Sequence, residues 1–180
     1  MRNSLLLVVT AAVMSLSMQA PSFAQSSPFG QSPPELAMTF KAEDIASILR
    51  DAGYRAELGA DSESPRVRTG MGGYNVGVYL YNCDNDRNCR NLQFSLGLRD
   101  MQKYPMSSIN KWNTEKRFAK ATLDDEGNLW LRADVYFYGG VTKQMVSSTA
   151  QLFDDLVGDF RGTIKSWVAA RENPFASASP

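Results

Sequence analysis

The 180-residue chain contains no histidine. That absence removes the usual general base near neutral pH, the Ser-His and Cys-His pairs of nucleophilic catalysis, and the commonest zinc ligand at once. Cysteine is nearly missing too: Cys83 and Cys89 are the only two. Two thiols without an imidazole cannot close a four-ligand structural zinc site unless carboxylates join them, so no metal and no cofactor is expected. Nor is there an excess of either charge, with 19 basic residues against 19 acidic ones. Such a balance supplies no field to track a phosphate backbone, and nucleic acid is not an expected partner. After the first 24 residues no apolar run of about 18 or more follows, so no membrane anchor is expected.

What is present begins with an address. Arg2 is a short positive region, Leu5 to Met14 an apolar run broken by Thr10, and Ser22-Phe23-Ala24 the small-x-small pattern before a cut. Residues 1–24 therefore read as a signal peptide cleaved near Ala24, and the mature chain as periplasmic or secreted. Gln25 rather than a cysteine follows the cut, which argues against a lipid anchor. Removing the segment takes Arg2 and no acid, leaving 18 bases against 19 acids. In an oxidising compartment, a Cys83–Cys89 disulfide is the expected state of the two thiols.

The mature remainder has the size of one domain. Residues 25–38, which begin Gln-Ser-Ser-Pro-Phe-Gly-Gln-Ser-Pro-Pro, form an aperiodic, proline-broken tether expected to be disordered. The domain is expected over residues 39–171, followed by a disordered tail at 172–180. Helical periodicity starts with Ile45, Ile48, Leu49 and Ala52, and Gly53 stands where a left-handed residue ends a helix. Short strands follow at Tyr54 to Leu58 and Arg66 to Thr69, around a polar turn from Asp61 to Pro65. Gly70-Met71-Gly72-Gly73 lies between strands, where a turn or bulge fits better than a phosphate cradle.

A hairpin from Tyr74 to Leu98 is the best-specified element. Setting Cys83 opposite Cys89 pairs Leu80 with Leu92, Val78 with Phe94, Val76 with Leu96 and Tyr74 with Leu98 on an apolar face. Tyr81 then meets Asn91, Tyr79 meets Gln93 and Gly77 meets Ser95 on the other, more polar face, which should also carry the disulfide. Ser107 or Ser108 could cap a short helix bearing Ile109 and Trp112 and running to about Lys116. A second hairpin turns at Glu126-Gly127-Asn128. Pairing Asp125 with Leu129 sets Leu123 against Leu131, Ala121 against Ala133 and Ala119 against Val135 inside, with Lys120 facing Asp134 and Phe118 facing Tyr136 outside. After Gly139-Gly140, Thr142 caps a helix that could reach Ala170, with Met145, Leu152, Phe153, Leu156, Phe160, Ile164 and Trp167 on one broad stripe. Gly158 and Gly162 could bend it, and Asn173-Pro174 stops it.

Several stretches together resemble a known family. They are Ala42-Glu43-Asp44-Ile45 leading to Asp51-Ala52-Gly53-Tyr54, Gly73-Tyr74-Asn75 with Val78 and Tyr79, Asn110-Lys111-Trp112-Asn113 continuing to Arg117-Phe118-Ala119-Lys120, and Gly139-Gly140-Val141-Thr142. From about Thr39 to Trp167 the chain resembles the YbjN domain proteins, described as bacterial sensory transduction regulators. The resemblance implies an α+β fold similar to type III secretion chaperones, an antiparallel sheet with flanking helices, which matches the order α-β-β-β-β-α-β-β-α read above from the residues.

No polar cluster makes a convincing active site. Trp112, Asn113 and Arg117 could cradle a ligand; the plainer reading has Trp112 in the core, Asn113 bonding backbone and Arg117 answering the last helix carbonyls. Asp84, Asp86 and Asn88 alternate like the start of a calcium loop, but the mid-loop glycine and closing glutamate are missing, so a turn is expected. Asp124-Asp125-Glu126 could supply an acid and a base for envelope-glycan hydrolysis, the alternative function; a solvated hairpin tip is simpler. What stands out is the outward sheet face, where Tyr79, Tyr81, Phe118, Trp130, Tyr136 and Tyr138 gather around Arg132. Either a helix of the same chain, such as the one bearing Trp112, covers this face, or a protein partner or second subunit does. The favoured expectation is an exported, non-enzymatic interaction or ligand-sensing module using this face or the long C-terminal helix.

Overall fold

The computed structural model describes residues 34–59, 65–85, 87–99, 101 and 104–172. The signal segment, most of the expected tether, most of the Asp61 to Pro65 turn, Asp86 and the tail beyond Glu172 lie outside the described residues. Three helices and six strands follow in order: α1 Ala42–Asp51, β1 Ala56–Leu58, β2 Arg66–Met71, β3 Tyr74–Asp84, β4 Arg87–Leu98, α2 Met106–Glu115, β5 Lys120–Leu123, β6 Leu129–Tyr136 and α3 Lys143–Glu172. The strands form one sheet in the order β1-β2-β3-β4-β6-β5, each neighbouring pair antiparallel. This is the α+β arrangement read from the sequence.

Local chemistry explains the boundaries. α1 lacks a Ser or Asp cap, yet Asp44 accepts the Lys41 backbone N–H at 2.9 Å, satisfying a donor at the helix start. It ends in a Schellman pair, Tyr54 N–H to Leu49 and Gly53 N–H to Arg50, with Gly53 at φ +90°. α2 starts after Pro105 rather than on the expected serine, and no side chain caps it. Thr142 caps α3 as expected, its hydroxyl accepting the Met145 N–H at 3.0 Å. The expected tether is tied at its far end: Ala37 exchanges two backbone hydrogen bonds with Val141, and Phe40 two with Cys89.

The β3–β4 register agrees with the expected one from Gly77–Ser95 to Cys83–Cys89. Cys83 and Cys89 are bonded, with S–S 2.10 Å. Their side is not the expected polar one. Asn82 and Asn88 both adopt left-handed φ, 53° and 52°, which interrupts the strict alternation of faces; Cys89 is fully buried and Cys83 lies against the core. The second hairpin is shifted by two residues, pairing Leu123 with Leu129 and Ala121 with Leu131. Asp124 causes the shift by closing a longer loop: it accepts the backbone N–H groups of Glu126 and Asn128 and donates its own N–H to the Asn128 carbonyl. Because side chains alternate with period two, an even shift keeps Ala121 and Leu131 inside while Lys120 now faces Arg132 rather than Asp134.

One face of the sheet carries the core, with Val78, Leu80, Leu92, Phe94, Leu96 and Leu131 essentially inaccessible to solvent. α3 lies on it through Val146, Ala150, Phe153, Val157 and Phe160, all fully buried, and the Phe153 ring stacks on Phe94 at 5.5 Å. Met145 and Leu152 belong to the helix's outer flank instead of its buried stripe, being 55% and 36% exposed. Gly72, in the β2–β3 turn at φ +57°, touches α3 so closely that a Cβ there would sit 2.5 Å from Val157 Cγ1 and 2.9 Å from Gly158 N. Asp154 of α3 accepts the Gly72 N–H and the Tyr54 hydroxyl, fastening the helix to that turn. Burial and the Asp154 charge push the Tyr54 phenol up to about 12.

Candidate functional site

Every other residue of β3, β4 and β6 points away from the core, which makes the opposite sheet face a mixed polar and aromatic surface. Pairing aligns it in rows: Tyr81, Asn91 and Tyr136; Tyr79, Gln93 and Asp134; Gly77, Ser95 and Arg132; then Gly97 and Trp130. The Trp112 helix does not cover it. Trp112 is buried and meets the Phe160 ring edge-on at 4.8 Å, on the core side. Tyr136 and Tyr138 stand 61% and 58% exposed, stacked on each other at 4.8 Å, and Tyr81 is exposed in the row of Tyr136.

The six aromatics separate into three groups. Tyr81, Tyr136 and Tyr138 form the open end of the face. Tyr79 and Trp130 lie flat against it, since a Cβ on Gly77 would touch the Tyr79 ring at 2.7 Å and one on Gly97 the Trp130 ring at 2.6 Å. The glycines make room for the rings. Trp130 is further held by its indole N–H, which donates to Asp124 at 2.8 Å, and by the Arg132 guanidinium 4.5 Å from its ring centroid. Phe118, 66% exposed and in a left-handed conformation at φ +71°, sits off the strands beside the β6 edge, not opposite Tyr136. Neither a left-handed phenylalanine nor a tryptophan engaged by an aspartate in the adjoining turn is signalled by alternation.

Between Tyr79, Trp130 and the 124–128 turn lies an open cleft of about 900 Å³, floored by Gly77, Ser95 and Gly97. Asp124, Asp125 and Glu126 line it. Glycoside hydrolysis needs one carboxyl held protonated near neutral pH. Asp124 is tuned the other way: the Trp130 N–H first, then Asn128 and Glu126 donors, hold it down to about 2 despite some desolvation.

The other polar candidates have structural duties. Asn113 bridges to Ala121 twice, Nδ2 to the carbonyl at 2.9 Å and Oδ1 from the N–H at 2.8 Å. The Arg117 guanidinium lies 5.3 Å from the Phe118 ring centroid rather than at the helix carbonyls. Asp84 forms a bidentate pair with Arg90, at 3.1 and 2.8 Å. Gly72 and Gly73 form a turn with positive φ, as the sequence suggested. No helix among the described residues is long and apolar enough to cross a membrane.

Residues 41–166 match a family described as "Putative bacterial sensory transduction regulator". The chain belongs to the YbjN family. No curated protein matches it. Among solved structures, it is similar to crystalline YbjN from E. coli, with TM-score 0.51 and 14% identity over 71% of this chain and 96% of that one. It also matches the Yersinia pestis type III secretion chaperone SycH, solved in complex with a fragment of YscM2, at TM-score 0.42 and 11% identity over 64% of this chain and 95% of that one. The likeness to crystalline YbjN agrees with the fold expected from the sequence.

Proposed function

We propose that this YbjN-family protein is an exported, non-enzymatic interaction module that engages a protein partner through the open end of its sheet. The observation that carries this reading is the exposure of Tyr81, Tyr136 and Tyr138 on a face whose reverse side already buries the core. Aromatic side chains with a hydroxyl tip suit such contacts, giving large apolar area with a polar handle. Tyr79 and Trp130 shape the adjoining cleft, and Arg132 and Asp134 add charge of both signs. Export is supported by the signal-like first 24 residues and by the Cys83–Cys89 bond, which belongs in an oxidising compartment.

The experiment is fractionation of expressing cells with N-terminal sequencing, followed by cross-linking of the processed protein in the envelope fraction. A mature chain starting at Gln25 and a discrete cross-linked product are expected. A chain retained with residues 1–24 in the cytoplasm contradicts the export reading, and an uncross-linked chain at native abundance contradicts the partner reading.

A further inference from the structure

Ser95 is anomalous on the outer sheet face. It shares a row with Gly77 and Arg132, so its side chain points away from the core, yet the residue is only 5% exposed. Its hydroxyl lines the 900 Å³ cleft and makes no hydrogen bond to the described residues. A polar group kept largely from water without a partner costs free energy, so this one calls for a partner from outside the fold. The walls around it are flat. Gly77 and Gly97, the seats of the Tyr79 and Trp130 rings, are diagonal neighbours across β3 and β4, a spacing of about 7–8 Å. Asp124 is already saturated: Oδ1 accepts the Glu126 and Asn128 backbone N–H groups, and Oδ2 the Trp130 indole and the Asn128 side-chain amide. It therefore fixes the Trp130 wall and leaves the polar contacts of the cleft to Ser95, Asn75 and Asp125, whose side chains make no hydrogen bond to the described residues.

The charges select against an ionic guest of either sign. An anion meets the carboxylates of Asp124, Asp125 and Glu126. An organic cation finds the Trp130 ring already engaged by the Arg132 guanidinium 4.5 Å from its centroid, and Arg99 on the same wall. What remains is a neutral guest with a flat C–H face for a ring and hydroxyls that both donate and accept, since Ser95 and Asn75 do both and Asp125 accepts. We propose that this cleft binds a glycan of β-linked pyranoses. Their equatorial hydroxyls leave the C–H faces flat, so one sugar lies on the Tyr79 ring with Trp130 as the facing wall, its hydroxyls bonded to Ser95 below and to Asn75 and Asp125 at the rim. Asp124 takes no part in chemistry on the sugar, and the site binds without cleaving. This goes beyond the protein-partner reading and does not depend on it.

NMR titration of the purified protein with two β-linked tetrasaccharides, cellotetraose and chitotetraose, tests the assignment. At least one should bind with a Kd of about 1 mM or tighter, shifting the Ser95 and Gly97 amides and the Trp130 indole N–H. Preference for chitotetraose names an acetamido-bearing wall glycan as the source; equal binding, or preference for cellotetraose, names an unsubstituted polysaccharide. Ser95→Ala should weaken binding about three- to tenfold without lowering the urea midpoint, because the deleted hydroxyl has no partner in the free protein. Tyr79→Leu should weaken it about tenfold, and Tyr79→Phe, which keeps the ring, should restore it; should the leucine variant not fold, Ser95→Ala carries the test alone. No shift with either sugar well above that concentration overturns the proposal. So do shifts confined to other surfaces, an unchanged Kd in Ser95→Ala, or the same cleft shifts with tetramethylammonium or sulfate in place of sugar. The cross-linked envelope product is measured separately and should persist in Ser95→Ala, so either reading can fail alone.

Discussion

Phe153→Ala probes the contact that holds α3 to the sheet. The ring is fully buried and stacks on Phe94 at 5.5 Å with planes 27° apart. A buried phenylalanine removes some 150–250 Å² from water, which at about 25 cal/mol per Å² is roughly 4–6 kcal/mol as an upper bound. Core Phe→Ala changes cost about 3–5 kcal/mol, the cavity left behind included. Leu156, which also lines an open groove beside β6, should cost less, about 2–3 kcal/mol, because its site is partly open. With a urea m-value of about 2 kcal/mol per molar, Phe153→Ala should lower the unfolding midpoint by roughly 1.5–2.5 M. Leu152→Ala, on the exposed flank, should move it by under about 0.3 M. A loss below about 1 kcal/mol for Phe153→Ala at unchanged m-value would refute the placement of α3 on the core face.

Two further outcomes are expected. Denatured, unreduced protein should show essentially no reactive thiol; two thiols per chain would refute the Cys83–Cys89 bond and with it the support for an oxidising compartment. Asp124 should titrate at about 2 by carboxyl NMR, so its hold on the 124–128 turn is present above its unfolded value near pH 4 and is lost as the pH falls toward 2. Trp130→Phe, which lacks the indole donor, should raise that titration; an Asp124 already titrating near pH 4 in the unaltered protein would exclude the Trp130 hydrogen bond.

Legibility in the sequence tracked how many independent signals met at one element. The β3–β4 register was readable because alternating Val78, Leu80, Leu92 and Phe94 agreed with the cysteine pair. The β5–β6 register rested on alternation and a turn placed at Glu126-Gly127-Asn128; alternation cannot distinguish shifts of two residues, and the deciding interaction was the Asp124 side chain folding back on a longer loop. The α3 boundaries were legible from Thr142 and Asn173-Pro174. Its inner face was not fully so, because small Ala150 and Val146 face the sheet while larger Met145 and Leu152 lie on the flank. Of the outer face, the aromatic residues were legible but not their states. That Trp130 is held by Asp124 and laid over Gly97, while Tyr138 stands exposed and stacked on Tyr136, depends on contacts across strands and turns that no periodicity encodes.

The central claim is that the tyrosines at the open end of the sheet bind a partner and do not hold the fold. Tyr136→Ala combined with Tyr138→Ala measures both sides of that claim in one protein, by urea unfolding and by cross-linking in the envelope fraction. Stability should stay within about 1 kcal/mol of the unaltered chain, since both rings are more than half exposed, while the cross-linked partner product disappears. A loss of several kcal/mol, or an undiminished product with the fold intact, would contradict it.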